Sequence, residues 1–149
     1  VLIRGAQAEE AAQLSALALR SKGYWGYDEA FLDACRQELT LHPEELAPKR
    51  TVVAERDGSI LGFATLEGDP PEGALGMLFV APDAIGQGVG RRLYEHALAA
   101  ARELGFVRLT IDADPNAEAF YRAMGAEFVG TTPSESIPGR VLPQLAVTL

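Results

Sequence analysis

The chain has 149 residues, 48% hydrophobic and 23% charged, a size and balance that suit one globular domain burying about two thirds of the surface its unfolded form exposes. Its 21 acidic residues against 13 lysines and arginines give a net charge of −8, which argues against nucleic acid as a partner, because binding a polyanion needs cations to neutralise phosphates. No stretch approaches the roughly 18 apolar residues of a membrane span, and the single cysteine, Cys35, cannot close an internal disulfide, which fits a reducing cytoplasm.

In chain order, Val1-Leu2-Ile3-Arg4 reads as a first strand and lacks the long apolar stretch and small-residue cleavage site of a signal peptide. Residues 8–21 read as a helix, with Leu14, Leu17 and Ala18 at helical spacing. Tyr24, Trp25 and Tyr27 interrupt it as an aromatic cluster, and Asp28 caps a second helix carrying Phe31, Leu32, Cys35 and Leu39 on one face. After a short turn near Pro43, two strands, 51–56 and 60–66, flank Asp57-Gly58, which suits a tight hairpin. The segment 68–73 reads as a flexible loop before the strand 75–81. A glycine-rich turn then leads into a helix from Gly90 to Leu104, with Leu93, Ala97, Ala100, Ala101 and Leu104 on one face and Gly105 as its stop. Strand 107–111 follows, then a short helix opened by Asp114-Pro115, and strands at 126–130 and 141–149. No repeat or linker divides the chain, so one α/β (α+β) domain over residues 1–149 is expected. It should hold a mixed sheet of about six to seven strands flanked by about four helices.

The turn Ile85-Gly86-Gln87-Gly88-Val89-Gly90 removes side chains where a strand passes into a helix. Backbone N–H groups can converge there on an anion, aided by the helix dipole. A tight strand-to-helix connection also uses glycines, so spacing must decide what the turn holds. A dinucleotide fingerprint would place its third glycine at Arg91, and a phosphate-binding loop of nucleoside triphosphatases would need Lys and Ser or Thr after its last glycine. Neither fits. Arg91-Arg92 instead set two cations beside the turn.

With these residues in place the sequence resembles the GNAT superfamily of acetyl-CoA-dependent N-acetyltransferases. Gly88 and Gly90 match the glycines of its signature, with Ile85 where the family has Arg or Gln. The run Leu78-Phe79-Val80-Ala81-Pro82 is similar to the family's fourth strand, which pairs with the pantetheine arm, and residues 114–121 to its cofactor-side helix. The loop from Pro133 to Arg140 looks like one recurring in a bacterial branch.

The resemblance implies acetyl-CoA as acyl-donor substrate, with Leu78, Phe79, Val80, Ile85, Gly86, Gln87, Gly88, Val89, Gly90, Arg91 and Asn116 around it. It also implies Tyr121 as the general acid for the departing thiolate; packing in the core is that tyrosine's alternative role. Asn116 has an alternative in satisfying helix-start N–H groups. Tyr24, Trp25 and Tyr27 are candidates for the acceptor pocket or for a hydrophobic plug that fastens the connector to the core, and Arg140 for a clamp on an acceptor carboxylate or a partner of a surface acid. An activated thioester needs orientation, a base and an acid, but no metal or covalent nucleophile, and no spacing suggests a metal site.

The fourth strand offers Gly76, Met77 and Leu78 but no carboxylate. Glu67 or Glu72 could act as the base through a water, although acids near a strand end are more typical of solvated surface, and His42, His96 and Cys35 read as structural. The expected activity is acetyl transfer to an amine of a small molecule or peptide, with a noncatalytic acyl-CoA sensor as the second reading. Whether two chains form a homodimer is left open.

Overall fold

The computed structural model describes residues 1–149. Seven strands form one mixed sheet: β1 (Leu2–Gly5), β2 (Val52–Arg56), β3 (Ser59–Asp69), β4 (Glu72–Val80), β5 (Arg108–Asp112), β6 (Glu127–Pro133) and β7 (Val141–Thr148). Their spatial order is β1-β2-β3-β4-β5-β7-β6. The helices are α1 (Ala11–Gly23), α2 (Glu29–Cys35), α3 (Val89–Leu104) and α4 (Glu118–Ala123). No helix is long and apolar enough to cross a membrane.

Strand β3 carries a run of buried residues from Gly62 to Leu66. Successive strand residues point to opposite faces, so such a run requires cover on both sides. Helix α3 packs on β2, β3 and β4, and α1 packs on β3 and β4. The α3 stripe comprises Val89, Leu93, Tyr94, Ala97, Leu98 and Ala101, a helical spacing, whereas Leu104 in the last turn is 48% exposed. Helix α2 begins as expected, Asp28 accepting from the Phe31 N–H.

The segment 68–73, expected as a loop, is part of a long hairpin. Gly68 pairs directly with Gly73 and Asp69 with Glu72, leaving only Pro70-Pro71 in the turn. Glycine permits this continuation: a Cβ at position 73 would stand almost on the Phe106 ring. Toward the other end, Thr65 pairs with Met77 but Leu66 with Leu75, so Gly76 is an unopposed bulge residue.

The parallel pair β4–β5 opens a split in the sheet. It is joined only from Glu72 to Ala74 and from Arg108 to Thr110, while β4 runs on to Val80 and β5 to Asp112. Beyond those rungs the strands part. The split opens toward their carboxyl ends, the usual ligand position in such sheets, and leaves Leu75 to Val80 with a backbone edge unpaired on that side.

Tyr94 is 1% exposed, and its hydroxyl has no hydrogen-bond partner. An orphaned buried hydroxyl costs about 1–3 kcal/mol, so Tyr94→Phe should raise the unfolding free energy, measured by thermal or urea denaturation. A loss of stability would show that the hydroxyl has a favourable partner.

Candidate active site

At the open end of the split, Gly86 and Gly88 adopt φ of +86° and +81°, a left-handed conformation that glycine enters without a Cβ penalty. Gly90 differs. Its φ is ordinary, and a Cβ there would meet Phe120 at 3.4 Å and Val80 at 3.5 Å, normal contact distances. Helix α3 has no side-chain cap, and the backbone N–H groups from Gly86 to Arg91 find no protein acceptor. They form a run of free donors at a helix N-terminus, the ordinary composition of a phosphate site.

The turn is held from outside: Gln87 accepts from Arg56 at 3.0 Å and donates to the Asp83 carbonyl at 3.1 Å. Ile85 is exposed. Arg91 pairs with Glu95 at 3.0 Å on the exposed face of α3, a bond that adds little to stability. Leu78, Phe79 and Val80 lie half-buried on the unpaired stretch of β4.

Tyr121, on α4, is 6% exposed and packs against Phe120 and Tyr94, with ring centroids 5.2 and 6.1 Å away. Burial pushes its phenol well above the ordinary tyrosine range, with a smaller push from Tyr94. It is therefore neutral and protonated throughout the physiological range. Its hydroxyl makes no hydrogen bond to a protein group.

The two faces of the sheet are told apart at β3. A Cβ at Gly62 would stand 3.1 Å from Leu93 of α3. Thr65 and Glu67, an odd number of residues along, point to the opposite face, the one α1 covers. There the Met77 N–H donates to the Thr65 hydroxyl at 2.9 Å, which donates to Glu67 at 2.8 Å. The Glu67 carboxylate occupies the space a side chain at the Gly76 bulge would fill. Strand β4 thus carries no carboxylate from Gly73 to Val80 but has one lying over that stretch from β3.

On the α1 side, where β5 ends, a polar cluster joins distant parts of the chain. Asp114 accepts from Lys22 at 2.8 Å, from the Tyr27 hydroxyl at 2.9 and 3.1 Å, and from the backbone and side chain of Asn116 at 2.8 and 2.9 Å. Arg140 donates to the Tyr27 hydroxyl at 2.9 Å and lies 3.5 Å from Asp114. Burial alone would raise the Asp114 carboxyl, but the bonds from Lys22, the Asn116 N–H and Tyr27 outweigh it and hold it below its usual range. Burial, then the Asp114 bond, pushes the Tyr27 phenol up.

The aromatic trio expected in the connector divides. Tyr27 turns inward and stacks on Phe31 at 4.0 Å. Tyr24 and Trp25 pack edge to face at the surface, 52% and 44% exposed, their side chains making no hydrogen bond to the polar cluster. Asn116 also donates to the Tyr27 hydroxyl at 3.0 Å, so its side chain faces the cluster. Lys22, the stacking role of Phe31 and the charge role of Asp114 escaped the sequence reading, where Asp114 stood as a helix cap and the start of the stretch resembling the cofactor-side helix. A cavity of about 500 Å³ lies elsewhere, between α1 and residues 36–43. It lacks the convergent polar groups of the split, and its lining is mostly apolar.

The model of the Acetyltransferase (GNAT) family matches residues 13–126. The chain belongs to that family. It is accordingly an acetyl-CoA-dependent N-acetyltransferase, as the glycine turn and the parted strands lead one to expect. It is 32% identical to the Peptidyl-lysine N-acetyltransferase YjaB of Escherichia coli, over 97% of this chain and 94% of that protein. Over 61 residues it is 46% identical to an Amino-acid acetyltransferase of Ralstonia nicotianae, of whose length it spans only 14%. Among solved structures it is similar to a GCN5-related N-acetyltransferase from Rhodopseudomonas palustris, with a TM-score of 0.82, 26% identity, and coverage of 99% of this chain and 95% of that one.

Proposed function

We propose that this acetyltransferase acts on a primary amine of a small molecule or peptide by direct attack, using the split between β4 and β5 as its acyl site. The observation that carries this reading is the run of unpartnered N–H groups from Gly86 to Arg91 at the mouth of that split. These donors suit the pyrophosphate of acetyl-CoA, and the free edge at Leu78 to Val80 suits the amides of its pantetheine arm, as an added strand would. Acetyl-CoA, as co-substrate, supplies an activated thioester.

The chain's own residues then have three tasks. Tyr27, Asn116 and Arg140 orient the acceptor on the α1 side. Glu67, over the Gly76 bulge on that same face, takes the proton the amine nitrogen loses as its bond to the carbonyl carbon forms, directly or through one water. Tyr121 gives its phenolic proton to the sulfur as the carbon–sulfur bond breaks. Burial disfavours a thiolate as well as a phenolate, so a buried, neutral tyrosine is matched to a buried leaving group. Exchange with solvent restores both residues.

Calorimetry against CoA, acetyl-CoA and NAD, followed by an amine-panel assay, tests the reading. Binding of CoA and acetyl-CoA with acetylation of at least one amine is expected; tight NAD binding without a CoA response would overturn it. In the same assay Glu67→Gln should lower kcat by about 10²- to 10⁴-fold, the usual scale of general base catalysis, with acetyl-CoA affinity unchanged. Full activity in that variant would remove Glu67 from the mechanism.

A further inference from the structure

Two cations, Lys22 and Arg140, surround one carboxylate, Asp114, in the polar cluster at the end of β5. All three side chains are largely shielded, with exposures of 11%, 18% and 12%. The cluster is locally cationic in a chain whose net charge is −8. Partly desolvated charge is costly unless compensated, so the unmatched cation calls for an anion.

The hydrogen bonds show which groups remain available. Both Asp114 oxygens already accept from Lys22, Tyr27 and Asn116, which leaves that carboxylate poorly placed to hold a substrate ammonium. Lys22 makes one of the three bonds an ammonium can donate, and Arg140 uses only one terminal nitrogen of its five-donor fork. The Arg140 guanidinium lies over Phe31 and Tyr27, 4.9 and 5.4 Å from the ring centroids, so its plane is set in advance. Glu38, an acid at the same corner, is exposed and bonded to Ser136, and forms no ion pair with either cation.

We propose that Lys22 and Arg140 bind a carboxylate carried by the acyl acceptor, so that the preferred substrates are amines that also bear an acid. This inference rests on the acetyl-transfer reading given above. The cluster lies on the face α1 covers, where β5 parts from β4, so an acceptor anchored there by its acid extends its amine toward the split. Free amino acids and acidic peptides share this chemistry.

The test compares matched acceptors in the wild-type enzyme: free amino acids against the amines left when their carboxyl group is removed, and lysine peptides with a neighbouring acid against the same peptides with that acid as its amide. At least a tenfold preference in kcat/KM for the carboxylate-bearing member of either series is expected, and the series that shows it identifies the source. Arg140→Gln should raise KM for that member about 10- to 100-fold, the loss of a charged hydrogen-bonded contact, raise it much less for the uncharged counterpart, and leave the KM for acetyl-CoA unchanged. Equal use of both members by the wild type would overturn the subsite even if the Arg140 variant failed to fold, and an equal effect of Arg140→Gln on both would do the same. In either case continued acetyl-CoA turnover would leave the acetyl-transfer reading standing, whereas a chain that bound no acetyl-CoA would overturn both.

Discussion

Tyr121→Phe should lower kcat by about 10²- to 10⁴-fold, the scale on which a positioned proton donor acts, while leaving acetyl-CoA affinity and the fold intact. The hydroxyl has no hydrogen bond to a protein group, so its removal strands no partner. The ring, which contributes the packing against Phe120 and Tyr94, is retained. A purely structural tyrosine behaves otherwise: its Phe variant keeps full turnover. Steady-state kinetics with the best acceptor from the amine panel, beside a denaturation curve, separates the two. Because burial keeps the phenol protonated far above neutrality, its titration should produce no loss of wild-type activity between about pH 6 and 9, a span well below the ordinary tyrosine value near 10.

Gly88→Val should weaken acetyl-CoA binding by about 10- to 100-fold. A branched residue at φ +81° carries about 1–3 kcal/mol of strain, and the turn relieves it by rotating the N–H groups away from their common focus. Each 1.4 kcal/mol of lost contact is about a tenfold change in Kd. Gly90→Ala is the contrasting variant. With an ordinary φ and room for a Cβ at 3.4 Å from Phe120, it should bind acetyl-CoA almost as the parent does. Calorimetry on the two proteins decides: equal Kd values for both variants would mean that the turn's backbone conformation is not what holds the ligand.

Much of the fold was legible because periodicity is local. The stripe of α3, the Asp28 cap and the Asp57-Gly58 hairpin are each written within a few consecutive residues. The stretch 68–73 was misread because Gly, Pro and Asp are loop residues by composition, whereas the ladder continues through Gly68 and Gly73 by virtue of their missing side chains. The glycine turn was also legible, although only the backbone angles distinguish Gly86 and Gly88, which need glycine for conformation, from Gly90, which does not.

The acceptor side was far less so. Lys22 meets Asp114 across 92 residues and Tyr27 meets Arg140 across 113, and no spacing rule reaches that far. Neighbours in sequence also part company: Trp25 faces outward while Tyr27, two residues on, is stacked on Phe31. Glu67 stood among the candidate acids of the sequence, but nothing local placed its carboxylate over β4. Glu67 belongs to β3, and what brings it across is the absence of a side chain at Gly76.

In the proposed mechanism the turn and the split together hold the thioester against Tyr121, and a crystal structure of the chain with acetyl-CoA tests this most directly. The expected result places pyrophosphate oxygens on the N–H groups of Gly86 to Arg91, the pantetheine along β4 from Val80 to Leu78, and the Tyr121 hydroxyl within hydrogen-bond reach of the sulfur. A pyrophosphate bound away from the turn, or a sulfur beyond the reach of Tyr121, would contradict it.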